Sequence, residues 1–466
     1  MPRREMSASL LALLLTLSAP PVMAQVAPSS ERPAPRPKPA AERPAPRPRP
    51  AAERPAPRPL SKADRAAAVA AITAELRKTY VLPEKVPVIV ARLEQAEKAG
   101  RYDVDDAVML AERLTEDLRS SSGDGHLSVH YDPARYAAAK ASGGEEKESD
   151  EFWRAMAFRE HHGLSELRVL PGNIRYLKLT GFHWVNDVTG TEYDAALRFL
   201  KDGDAVVIDL RGNGGGSHSA VRYLVSHFMD GDVLEMTFLE AAKAPVQSRT
   251  LEHLPVGRLK GKPLYVLIDG GSASAAEAFA YDVRQFKLGE LVGAKTVGAA
   301  HNNRFVPVPP GFMFSVSFGR PVHPVSNTSW EGTGVTPTVE SPPMQALEMA
   351  QSLALTRLAK TPGLSPDVLA DYEWARVDVE AKLRPASVPA ESLKALAGRY
   401  GEFEVSLRDG ALWMARLGRP LRRLLPLTAD GLFSVEGSDR LRVKLTPRML
   451  ETLWRGDPAT RTHPRS

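Results

Sequence analysis

No cysteine occurs in the 466 residues, which excludes a disulfide framework, a thiolate metal centre and an acylated-cysteine anchor. Export is compatible with that lack, because a large exported domain does not require disulfides. A membrane-spanning run is missing as well: the apolar stretch Ser9–Leu17 (SLLALLLTL) is too short to cross a bilayer. Flanked by Arg3 and Arg4 and by the small-residue site Val22-Met23-Ala24, it reads as a secretory leader over 1–24, with no transmembrane anchor in the mature chain. The expected location is therefore exported, periplasmic or extracellular. Hydrophobic (43%) and charged (25%) contents are ordinary for globular protein, and the length calls for two or three folded units.

An excess of positive charge is absent from the part expected to fold. Gln25–Leu60 repeats an eleven-residue unit (ERPAPRPKPAA, ERPAPRPRPAA, ERPAPRPLS), and twelve of its 36 residues are proline, so helix and sheet are excluded. This disordered, Pro-rich linker carries eight Arg/Lys against three Glu, and the leader two Arg against one Glu. Of the chain's net +5, the remainder from residue 61 onward holds −1. Nucleic-acid binding is set aside on that ground. The basic linker is a spacer or a contact to an anionic cell surface.

Three helical stretches follow over 61–132. Ser61 is placed to cap the first, with Val69, Ile72 and Leu76 on one face; Val88, Leu93 and Ala96 mark the second, and Val108, Leu110, Leu114 and Leu118 the third. The turn Ser120–His126 then enters an alternating strand, Leu127–Tyr131. His126 at a Gly-rich turn can approach another loop, or serve simply as a surface or capping residue. Residues 133–165 read as a polar, exposed linker.

From 166 the pattern becomes α/β. Asn173–Leu179 alternates as a strand, and Ala205–Leu210 is a continuous apolar run suited to a central strand. The latter ends in Arg211-Gly-Asn-Gly-Gly-Gly216. No G-x-G-x-x-G forms there and no Lys-Ser/Thr follows, which argues against a nucleotide loop. The remaining use of such a run is to free backbone amides for an oxyanion. Leu264–Asp269 is a second buried strand, turning through Gly-Gly into Ser272 and Ser274 and then a helix reaching Phe286. A serine at a strand-to-helix corner is exposed, with helix N-terminal amides beside it, which suits a nucleophile. Its ordinary alternative is a helix N-cap.

The segments DGH (124–126), DLRGNGGG (209–216), GGSASAAEAFAY (ending at Tyr281), VGAAH (297–301) and WEGTGVTP (330–337) together resemble the tail-specific (C-terminal processing) serine proteases. The nearest branch is that of the tricorn core protease and the interphotoreceptor retinoid-binding protein. The resemblance covers about 61–340. It implies a ClpP/crotonase-like α/β core over 166–343 behind a helical bundle, polypeptide substrates, no cofactor and no metal.

The family has a lysine design and a Ser-His-Glu design. The lysine position, 25 residues after the serine, is Ala299, and Lys295 matches a position that is not the base. The resemblance therefore assigns Ser274 as nucleophile, His126 as general base and Glu331 as the carboxylate that orients it. Amides of Ala275 and of Gly214 or Gly215 would meet the oxyanion, and His301 is the alternative base. Three positions depart from the pattern. Gly125 stands where the tricorn enzyme has a serine, Glu277-Ala278 replaces Glu-Glu, and Pro337-Thr338 replaces Pro-Asp. His183 and His218 are candidates to line the cleft. Only some thirty residues separate His130 from the next strand, too few for the peptide-binding module that many relatives insert.

Residues 344–384 read as a helical connector. Over 385–460, short alternations with Asp-Gly turns at 409–410 and 430–431 predict a small antiparallel β domain. It resembles β appendages of exported hydrolases, with substrate recruitment or shielding of the core as its roles. The reading is an exported serine endopeptidase. The alternatives are a non-catalytic binding protein for a hydrophobic ligand or peptide on the same fold, and an esterase or amidase with the same nucleophile.

Overall fold

The computed structural model describes residues 59–143, 150–241 and 243–466; the leader and most of the proline-rich linker lie outside them. No helix of the described residues is long and apolar enough to cross a membrane. Ser61 starts the first helix, Lys62–Thr79, through a reciprocal cap: its Oγ accepts from the Asp64 amide (3.1 Å), and the Asp64 carboxylate accepts from the Ser61 amide (3.0 Å). Helices Val86–Lys98 and Ala107–Ser122 follow, and Gly123 ends the third at φ +72°.

These helices do not form a separate bundle. Leu76, Leu93 and Leu114 share one core with Val306, Phe312, Phe314 and Val316, which belong to a hairpin of Asn302–Val308 and Phe312–Val322. The Phe312–Val322 strand of that hairpin pairs with Ser128–Tyr131 near its start and with Leu234–Glu240 at its end, and Val246–Arg249 completes the sheet. Residues 133–165, expected as an irregular excursion, include helices Pro133–Ala141 and Asp150–Arg159.

The central sheet runs Val339–Glu340, Glu290–Gly293, Leu264–Ile268, Ala205–Asp209, Ile174–Leu179, Leu164–Leu170, parallel except for the last pair. Every residue of the two middle strands is buried, as expected of a parallel sheet covered on both faces. One face packs on Tyr193, Leu197, Leu224 and Phe279. The other packs on Ala350, Leu355, Tyr372 and Ala375, from helices Ala346–Leu358 and Pro366–Leu383. The segment expected as a connector is thus a structural layer.

Gly398–Pro464 is an eight-stranded antiparallel meander whose first and last strands meet at a bridge between Tyr400 and Arg465, making a near-barrel. It is fastened to the Pro366–Leu383 helix by Arg455, paired with Asp371 (2.5 Å), and by Arg442, paired with Asp378 (2.9 Å) and stacked over Trp374 (3.8 Å).

Candidate active site

Strands Ala205–Asp209 and Leu264–Ile268 are parallel neighbours in register, Asp209 beside Leu267. The glycine run and the serine corner therefore leave the same carboxyl edge of the sheet, where open α/β sheets place their sites. Ser272 is buried and its Oγ donates to Leu210 O (2.8 Å), tying the two turns together. Ser274 sits at φ 53°, ψ −116°, immediately before the helix Ala275–Gln285. A non-glycine residue there is strained, and such strain concentrates at functional corners.

Gly215 passes so close that a Cβ on it would lie 2.7 Å from Ser274 Cβ and 2.9 Å from Ala275 N. Buried Asn213 holds this approach: its carbonyl accepts from Ala273 N (2.9 Å), and its side chain donates to Leu179 O (2.8 Å) and accepts from Gly215 N (2.9 Å). The Gly215 amide is thereby engaged. No acceptor among the described residues takes the amides of Gly214 or Ala275.

Glu277, one turn into the helix and fully buried, joins the corner to the 296–299 loop. Its carboxylate accepts from Ser274 N (3.0 Å), Thr296 Oγ1 (2.5 Å), Gly298 N (2.6 Å) and Ala299 N (2.8 Å). Trp330 Nε1 donates to Ala299 O (3.1 Å), and Glu331 Oε2 accepts from Ala300 N (2.6 Å) and His301 N (3.0 Å). Ser274, Ala300 and Trp330 line one cleft, together with His218, Met236 and Phe238. His183 borders the neighbouring cavity of ≈ 610 Å³ beside Gly214 and Gly215, and its Nε2 is 2.8 Å from Glu160.

The two candidate bases meet at a carboxylate that sequence reasoning gave no role. Asp124 Oδ1 accepts from the His126 amide (2.9 Å) and lies 3.5 Å from His126 Nδ1. Asp124 Oδ2 is 3.0 Å from His301 Nδ1 and accepts from Tyr80 OH (3.3 Å). Burial opposes charge on Asp124, but the His126 and His301 imidazoles beside it outweigh that and hold its carboxyl well below the usual range. Burial, with Asp124 second, pushes the Tyr80 phenol up. Glu331 Oε2 is 3.8 Å from His301 Nδ1, while its buried Oε1 has no hydrogen-bond partner. Donor atoms of Asp124, His126 and Glu331 all lie within 4.8 Å of one another; these donor types also suit a divalent cation. Asp124, Asn213 and Glu277 all stand inside the quoted motifs, and only their contacts reveal what they hold.

The scaffold is similar to that of serine-type peptidases. Residues 173–341 match the family described as peptidase family S41, and residues 61–157 match the N-terminal domain of that peptidase in eukaryotic IRBP. Within 61–341, then, the chain is similar to the tail-specific peptidases.

Curated relatives include the carboxy-terminal processing protease CtpB of Bacillus subtilis (strain 168), 28% identical over 182 residues, which are 38% of this chain and 35% of that protein. A probable CtpA-like serine protease of Staphylococcus aureus (strain COL) is 31% identical over 114 residues, 24% of this chain and 23% of that one. The chain thus spans about a third or less of the length of these relatives. Among solved structures, the photosystem II D1 C-terminal processing protease overlaps 61% of this chain and 94% of its own, at 15% identity and TM-score 0.42. The tricorn protease overlaps 63% and 37%, at 12% identity and TM-score 0.40. These overlaps are too slight to carry weight.

Proposed function

We propose that the chain is an exported serine endopeptidase that cleaves polypeptides through an acyl-enzyme, with Ser274 as nucleophile, His126 as general base and Glu331 as an orienting carboxylate. The single observation that carries this reading is the strained Ser274 corner, pressed against Gly215 and flanked by unengaged amides at Ala275 and Gly214. His126 turns Nδ1 toward Asp124 (3.5 Å), which leaves Nε2 for the serine hydroxyl. Donor atoms of Asp124 and Glu331 lie within 4.8 Å of one of His126, so two carboxylates border the ring that takes the Ser274 proton in this mechanism.

In this mechanism Ser274 Oγ attacks the scissile carbonyl and its proton passes to His126. The oxyanion is met by the Ala275 and Gly214 amides. Collapse delivers the proton to the leaving amine and leaves an ester on Ser274, which water, deprotonated by His126, then hydrolyses. The cavity beside Ser274 is small, ≈ 50 Å³, and bounded by Met236, Phe238, Ala278 and Trp330. It suits a small apolar side chain on the acyl side of the cut. The leader-like residues 1–24 favour a periplasmic or extracellular location, and the parallel sheet with its corner supports a ClpP/crotonase-like assignment of the core.

The test is digestion of an unstructured protein by the wild-type chain beside Ser274→Ala, His126→Ala and His301→Ala variants, with every product mapped by mass. Cutting by wild type, unaffected by chelator and abolished by the first two changes, is the expected result. Silence of Ser274→Ala and His301→Ala with an active His126→Ala would transfer the base role to His301. A folded wild type that cuts nothing, while hydrolysing short esters or retaining an apolar ligand, would overturn the peptidase reading.

A further inference from the structure

We propose that the C-terminal near-barrel binds a single-chain amphiphile with an anionic head, of the long-chain fatty-acid class, tail first. Alternation along the strands decides which residues face inward, because cross-strand partners share a face. At one end of the barrel Tyr400, Val405, Leu412, Phe433 and Leu450 pack as a closed core. At the other end the inward positions do not fill the space, and a cavity of ≈ 520 Å³ remains. This falls within the range of small-molecule sites. Its apolar wall is Phe403, Met414, Val435, Leu441 and Trp454.

The rim breaks the pattern. Arg416 is the cross-strand partner of Phe403, Arg422 of Met414, and Arg461 of Thr452, so three arginines stand on the inward face of the barrel, and Arg419 joins them from the adjoining turn. Glu402 is the sole acid on the wall, and it pairs with Arg416 (2.8 Å). Arg422 Nε donates to a backbone carbonyl, that of Glu436 (2.9 Å). Arg419 and Arg461 have no acidic partner among the described residues. Like charges gathered at the mouth of an apolar cavity repel one another until an anion joins them.

The order of polarity, cations at the rim and apolar wall behind, selects the orientation. An acyl chain fills the depth while its carboxylate stays among the guanidiniums. A peptide carboxyl terminus entering head first would instead bring its charge to His463, whose buried Nε2 has no partner, and would leave the rim cations unmatched. Trp454, 40% exposed, and Leu417, 82% exposed, add apolar surface at the open end.

The full chain is titrated with cis-parinaric acid, an intrinsically fluorescent fatty acid, and then with competitors. Saturable binding displaced by palmitate but not by methyl palmitate is expected. Val435→Trp fills the cavity and abolishes binding, and the rim double variant Arg422→Glu/Arg461→Glu weakens it about tenfold or more; circular dichroism confirms that both are folded. The double variant keeps the test valid should the tryptophan disturb the barrel. Absence of saturable binding, equal competition by the methyl ester, or binding indifferent to the double variant would overturn the proposal. So would displacement by a short apolar peptide acid that is lost in His463→Ala. Ser274→Ala must bind like wild type, which separates this site from the proposed catalytic one.

Discussion

Glu277→Gln is the sharpest test of how the corner is held. The carboxylate accepts four hydrogen bonds and donates none, two at each oxygen: Ser274 N and Ala299 N at Oε2, Thr296 Oγ1 and Gly298 N at Oε1. A glutamine has one oxygen and an NH2. Its least costly orientation keeps the oxygen toward Ser274 and Ala299 and turns the NH2 toward Thr296, whose hydroxyl already accepts from Val335 N (2.7 Å). The Gly298 amide then faces another N–H and is buried without a partner. That single loss costs about 1–3 kcal/mol, and the two surviving bonds weaken by roughly 1 kcal/mol each on going from charged to neutral acceptor. The expected destabilisation is about 3–5 kcal/mol. Urea unfolding followed by circular dichroism measures it, and in the proposed mechanism kcat for peptide hydrolysis falls as well, since Ser274 and the 296–299 loop lose their common anchor. An unfolding free energy within about 0.5 kcal/mol of wild type, the range of an inert surface change, would refute this account of the corner.

Three further outcomes are expected. Asp124 is held below its ordinary value of 3.8, so the stability it confers is complete above that pH and disappears as pH falls through its depressed folded value; Asp124→Asn should lower the melting temperature at pH 7 and flatten its decline in acid, and an unchanged acid limb would count against the histidine contacts. Asp282, fully buried, is pushed above 3.8 by burial and then by Glu235, so its contribution declines as pH rises above that value, while neighbouring His323, brought down to about 4 by burial, contributes increasingly between pH 4 and 6.5. Asp282→Asn should therefore gain stability relative to wild type at pH 8 more than at pH 4, read by melting curves at both; equal effects would refute the assignment. Gly215→Ala, with φ +104° and its new Cβ 2.7 Å from Ser274 Cβ, should lower kcat about 100-fold or more while retaining a folded spectrum.

The serine corner was legible because its signals are local: the apolar run Leu264–Ile268, two glycines, and a helix with Gly289 beyond its end. The α/β alternation of the core was legible for the same reason, with Ala205–Asp209 and Leu264–Ile268 each feeding a helix. The second sheet was not. Its strands Leu234–Glu240 and Phe312–Val322 pair across some eighty residues, and nothing in a short window announces a partner so distant. Missing that sheet also made the helical segment look independent, since the residues that complete its core, Phe312 and Phe314, come from the hairpin. The helices of 344–384 were legible as helices but not as a layer. Ala346, Ala350 and Ala354 are too small to advertise a buried face until the sheet they pack on is in place.

The difference between the two histidines has the same origin. His126 and His301 come from opposite ends of the catalytic region, His126 directly after Gly125 and His301 three residues after Gly298, and local pattern does not show what either ring contacts. Their contacts in the structure differ. His301 Nδ1 holds Asp124 at 3.0 Å, its amide is taken by Glu331, and the side chain is 5% exposed; it is fastened at both its backbone and its ring. His126 is fastened by its amide alone, with Nδ1 at 3.5 Å from the same carboxylate and no hydrogen bond formed. A triad base has its Nδ1 anchored on a carboxylate and its Nε2 free for the serine, so the Asp124 contact of either ring is compatible with that role. In the proposed mechanism His126 fills it, and the Asp124 contact shortens as the imidazolium forms. His301 is then a positioning residue, aligning Asp124 from the far side while Glu331 secures the loop that carries it.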